Sequence, residues 1–97
     1  MSVSKEQVIE ILKCIEDPDL FLDIWFLGLI RDVRIDGGEV DVDMTFTTPL
    51  CPSGPMLVDQ VKCGIETIDG VEAVRVHVVF DPPWEPSEDV RAMLGML

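Results

Sequence analysis

Ninety-seven residues suffice for one domain with one two-layer core. Nineteen acids against seven bases leave a formal charge of −12. That excess argues against nucleic acid, which needs a basic surface to displace counterions, and against an anionic membrane surface. It leaves a basic protein partner or a cation open. The 47% hydrophobic content fits a folded chain, and no apolar run reaches the roughly 18 residues of a bilayer span. The opening residues carry no basic segment followed by an apolar core, so the expected location is the cytoplasm. Cys14, Cys51 and Cys63 show no CxxC spacing. Neither a disulfide framework nor a closed four-ligand zinc site is expected from them.

In chain order, Ser4 and Gln7 form a capping box, and Val8, Ile11, Leu12 and Ile15 recur at helical spacing. A first helix is predicted over 5–16, with Cys14 at the edge of its apolar face. Asp17-Pro18-Asp19 stops it, because proline disfavours helical angles in the residue before it. Turn chemistry explains the two acids; the alternative is that one or both face Cys51 as ligands or acceptors. Residues 20–30 are very apolar and follow no clean period. They predict a short helical turn over 23–26 and a bend at Gly28, with Trp25 and Phe26 either in the core or on a partner surface.

A first strand is predicted over 29–35, then a hairpin turn at Asp36-Gly37-Gly38-Glu39. Val40, Val42, Met44 and Phe46 alternate with Asp41, Asp43 and Thr45, giving a second strand with one buried and one wet face. The wet acids sit opposite Arg31 and Arg34. A second helix is predicted over 55–68, with Leu57, Val58, Val61, Ile65 and Ile68 as its inner stripe and Cys63 on another side. A third strand follows over 73–80, with Val74, Val76, Val78 and Phe80 facing in and His77 on the wet side. The rigid exit over 81–86 leads to a last short helix capped by Ser87.

Between the second strand and second helix lies Thr47-Thr48-Pro49-Leu50-Cys51-Pro52-Ser53-Gly54-Pro55. Its prolines place Cys51 at or just before a helix N-terminus, where unpaired amides and the helix dipole favour a thiolate. A small buried apolar cysteine is the other reading.

The order helix, strand, strand, helix, strand, helix defines an α+β fold: a two-layer, three-stranded mixed sheet covered by helices. A hairpin followed by a helical crossover makes the simplest strand order 2-1-3, with the first strand central. The start of the first strand and the ends of the other two then share one sheet edge. There 47–53, 81–84 and 23–28 should gather round Cys51, with 17–19 feeding in.

The residues carry a resemblance over nearly the whole chain. Asp17-Pro18-Asp19, the run Asp23-Ile24-Trp25-Phe26-Leu27-Gly28-Leu29-Ile30, the run Met44-Thr45-Phe46-Thr47-Thr48-Pro49-Leu50-Cys51-Pro52, the pair Gly70-Val71 and the segment Asp81-Pro82-Pro83-Trp84-Glu85-Pro86 stand in order. Together they resemble the metal–sulfur cluster assembly factors related to SufT and PaaD. The resemblance implies an iron–sulfur cluster assembly-type domain with a role in maturing iron–sulfur proteins. It implies Cys51 as the functional residue, with Thr47, Thr48 and Asp23 in support. Ser53-Gly54 and Trp25-Phe26 depart from the family's usual residues. The extra zinc-type cysteines of some PaaD-like relatives have no counterpart.

Three functions are weighed. In the leading one, Cys51, with Asp17 and Asp19 as further metal ligands, contacts iron or an iron–sulfur cluster transiently during assembly or transfer. One cysteine cannot supply four thiolates, so a homodimer or a complex with a scaffold or client is expected. The alternative is a metal-free adaptor presenting Trp25, Phe26, Trp84 and the last helix to a client enzyme complex. The third, a thiol enzyme, lacks a base near Cys51, since His77 lies mid-strand. The expectation is therefore no enzyme, no nucleic acid and no membrane.

Overall fold

The structure, a computed structural model, describes residues 3–18, 20–47 and 54–95. The first helix, α1 (Lys5–Leu12), begins at the Ser4 capping box: Ser4 Oγ accepts from the Gln7 amide, and Gln7 Oε1 accepts from the Ser4 amide. It ends a turn earlier than its apolar spacing suggests. Residues 15–17 are instead drawn alongside 22–24, where Ile24 N donates to Ile15 O and Asp17 N to Leu22 O, both at 2.9 Å. Cys14, expected at a packing boundary, is exposed. Residues 24–28 make the expected turn, with Leu27 N donating to Asp23 O at 3.0 Å and Gly28 bending the chain at φ +78°.

The strands β1 (Ile30–Asp36), β2 (Glu39–Met44) and β3 (Ala73–Val78) form one sheet, with α2 (Gly54–Glu66) between β2 and β3. The last helix, α3 (Glu88–Met93), is capped by Ser87 Oγ, which accepts from Val90 N at 3.2 Å. α1 packs on β1, α2 on β3, and the two helices on each other. The core between the layers holds Val8, Leu12, Leu29, Val40, Val42, Met44, Leu57, Val61 and Ile65, all fully buried. The stripe expected on α2 is thus largely the one that packs; Val58 and Ile68 lie at its half-buried margin.

The strand order is β1-β2-β3, which corrects the expected 2-1-3. β2 is central, antiparallel to β1 and parallel to β3. The outer face gives the physical reason. Arg34 makes a bidentate pair with Asp43 at 2.8 and 2.9 Å from the β1 side. From the β3 side, Arg75 makes a bidentate pair with Asp41 at 2.8 and 2.9 Å and reaches Glu39 at 2.9 Å. His77 Nε2 lies 2.9 Å from Asp41 Oδ1. The acids of β2 are flanked by bases on both sides. The order 2-1-3 would have put β1 between Arg75 and His77 and the acids of β2. Hydrogen bonds from Arg75, then His77, hold the Asp41 carboxyl well below the usual carboxylate range, and the hydrogen bond from Arg34 lowers that of Asp43. The same contacts raise both guanidinium values.

Candidate functional site

The candidate site is the sheet edge where β2 and β3 end and β1 begins. Beyond β2, Thr45 N donates to Leu29 O at 2.7 Å; beyond β3, Val79 N donates to Met44 O at 2.8 Å. These bonds set residues 29, 45 and 79 side by side. The described parts of the expected convergence, the segments near 27–31, 45–47 and 79–84, do meet although the strand order differs, because direction and not order decides which ends share an edge; Cys51, round which they were expected to gather, lies outside the described residues.

After Phe80 the chain becomes a strap that returns from β3 to the start of β1. It passes the end of β2 on the way. Arg31 Nη2 donates to Pro82 O, and Trp84 Nε1 donates to Leu27 O at 2.6 Å. Trp84, which the adaptor alternative would put on a partner surface, is half-buried against the core and pins the strap. Trp25 is half-buried as well, while Phe26 is 38% exposed. The polyproline-like run explains the strap's extension; the indole N–H explains where it stops.

Phe46 ties the edge to α2. Its ring meets Phe80 edge-on, with centroids 5.9 Å apart and planes at 61°. It also lies on Gly54: a Cβ there would be 2.6 Å from Phe46 Cε2. Phe46 and Gly54 flank the stretch that carries Cys51, so both of its ends are held at this edge. This stack escaped the sequence reading; the one signal for it is an aromatic residue at one end of the proline-rich stretch and a glycine at the other.

The site residues proposed from sequence divide as follows. Thr47 is half-buried at the end of β2. Asp23 Oδ1 accepts from Phe26 N at 2.7 Å and so caps the turn whose Leu27 carbonyl receives Trp84. Asp17 is buried, and its Oδ1 accepts from Leu20 N at 3.3 Å in the turn after α1. Asp19, Thr48 and Cys51 lie outside the described residues. Thr45, expected on the wet face, is fully buried, and its Oγ1 has no hydrogen-bond partner among the described residues. His77 is engaged with Asp41 on the outer face, at the rung of Asp43. Among the described residues, no group of three or more His, Cys, Asp or Glu is placed to hold a metal ion, and no helix is long and apolar enough to cross a membrane.

With this geometry established, known proteins supply a family. Residues 5–78 match the family described as iron-sulfur cluster assembly protein, and the chain belongs to it. It is 44% identical over 69 residues to the Staphylococcus aureus Fe-S protein maturation auxiliary factor SufT, covering 70% of this chain and 78% of that protein. It is 33% identical over 95 residues to a Synechocystis iron-sulfur cluster carrier protein; the match covers 98% of this chain but 27% of that longer protein. The fold superposes on a conserved hypothetical protein of Thermotoga maritima with a TM-score of 0.85 at 42% identity, covering 97% and 96% of the two chains.

Proposed function

We propose that this chain is an accessory factor, acting in the cytoplasm, that passes iron or an iron–sulfur cluster to client proteins through the Cys51 thiolate. The cluster is its cargo. The observation that carries the reading is the edge itself. The two ends of the Cys51 stretch are held beside a pinned strap, next to the segment that begins with Asp23. A packing cysteine needs no such convergence. Thiolate suits iron and its clusters. Thr47, Thr48 and Asp23 support the cysteine, and Asp17 and Asp19, on the segment that feeds into that edge, are further oxygen donors to the metal. A single thiolate leaves the other coordination positions of a cluster to a second copy, a scaffold or the client. The chain therefore works in complex, as a homodimer or with its client, and performs no catalytic step of its own.

Anaerobic reconstitution with iron and sulfide tests this. Wild-type protein should retain a cluster, or speed its arrival in a client, and Cys51→Ala should do neither. Equal cluster retention and equal client activation would refute it.

A metal-free adaptor is the second reading. It is favoured by the Synechocystis relative, in which a region like this chain makes up about a quarter of a carrier. An adaptor would keep client binding and client maturation after Cys51→Ala, measured by pull-down and by the client's activity.

A further inference from the structure

The two end strands of the sheet are finished differently. Beside β1, Lys5 and Trp25 line one small cleft with Ile30 and Val33. Along β3, no described helix or strand other than β2 and α2 makes contact. The amides of Ala73 and Val79 donate towards β2, to Gly38 O and Met44 O. By strand alternation the N–H and C=O groups of Val74, Val76 and Val78 point the other way, out of the sheet. The side chains of these same residues line the inner face, and their cover runs out along the strand. Val74 is 5% exposed, Val78 36%, and Phe80 beyond it 42%. A row of unpaired backbone groups therefore runs beside an uncovered apolar row, the arrangement that accepts a strand from another chain.

Charge selects the occupant. Exposed Asp69 and Glu72 precede this row, and exposed Asp81 follows it. The arginines of the sheet are already committed: Arg34 and Arg75 to carboxylates, Arg31 to the strap. A second copy would bring the same acids and another −12. We infer that β3 receives an extended apolar segment bearing lysine or arginine from a different protein, which adds as a fourth strand. Phe80 meets Phe46 edge-on, so that segment arrives beside the residue that leads into the Cys51 stretch. The inference rests on the maturation reading and supplies the chemistry of the partner that the reading requires.

The test titrates the isotope-labelled full chain with an eight-residue peptide of alternating valine and lysine, read by amide chemical shifts. Saturable shifts should centre on Val74, Val76, Val78 and Phe80. The valine–glutamate counterpart should bind at least about tenfold more weakly. Val78→Pro removes one outward donor and leaves the β2 ladder whole, and Phe80→Ala removes apolar surface; each should weaken binding about tenfold with the fold intact by circular dichroism. Cys51→Ala should bind like wild type. Retained client activation in Cys51→Ala, with intact peptide binding, would therefore overturn the maturation reading alone. The inference is overturned by absent or unsaturable shifts, by equal binding of the two peptides, or by unchanged binding in Val78→Pro. A dimer in sedimentation that Val78→Pro dissolves would also overturn it, by making a second copy the occupant.

Discussion

The ring of Phe46 occupies the space that a side chain on Gly54 would need. Phe46, two residues beyond β2, therefore touches the first residue of α2. Phe80 closes the far side of the ring. One aromatic residue thereby joins the central strand, the crossover helix and the strap.

Gly54→Ala should destabilise the protein by roughly 1–3 kcal/mol, because a methyl group must displace a packed ring. Adding Phe46→Leu should recover much of that loss. The coupling is measured by urea unfolding of the two single variants and the double variant. Additive losses would show that the ring and the glycine do not share the space.

Trp84→Phe keeps most of the apolar contact of Trp84 and removes the donor to Leu27 O. The expected cost is about 1 kcal/mol, the usual net worth of such a bond, from the same unfolding measurement. Amide exchange should quicken at the strap before it quickens in β2.

Thr45 offers the opposite sign. Its hydroxyl is buried, with no partner among the described residues. Thr45→Val exchanges that hydroxyl for a methyl group of nearly the same shape. It should be neutral or stabilising by about 1 kcal/mol. A variant that gains stability but loses client activation would assign the hydroxyl to the cargo or partner.

Acid should weaken the outer face of the sheet. The folded values of Asp41 and Asp43 are depressed, so their contribution is complete above the ordinary carboxylate value, near pH 4. It is lost as pH falls through the lowered folded values. Asp41→Asn should leave a shallower dependence of unfolding free energy on pH below about 4, read from urea titrations at several pH values. Both aspartates lie near the surface, and salt should reduce the effect.

Local chemistry made much of this protein legible from its residues. Ser4 with Gln7, Ser87, the alternation along β2 and the hairpin glycines each act within a few residues, where spacing and capping decide the outcome. Strand direction followed from a hairpin and a helical crossover, so the shared edge was legible too, and the ordered motifs pointed to the family. Strand order was not legible, since a crossover helix can return a strand on either side of a hairpin. That choice belonged to the contacts of Asp41 and Asp43 with bases from both neighbours, residues more than thirty positions apart for Arg75 and His77. The end of α1 was likewise set from outside, by the pairing of 15–17 with 22–24. Phe46 on Gly54 and Trp84 on Leu27 exist only once three layers of chain meet at one edge. Local periodicity records which face a residue prefers; the partner across that face is chosen by packing and charge from distant segments.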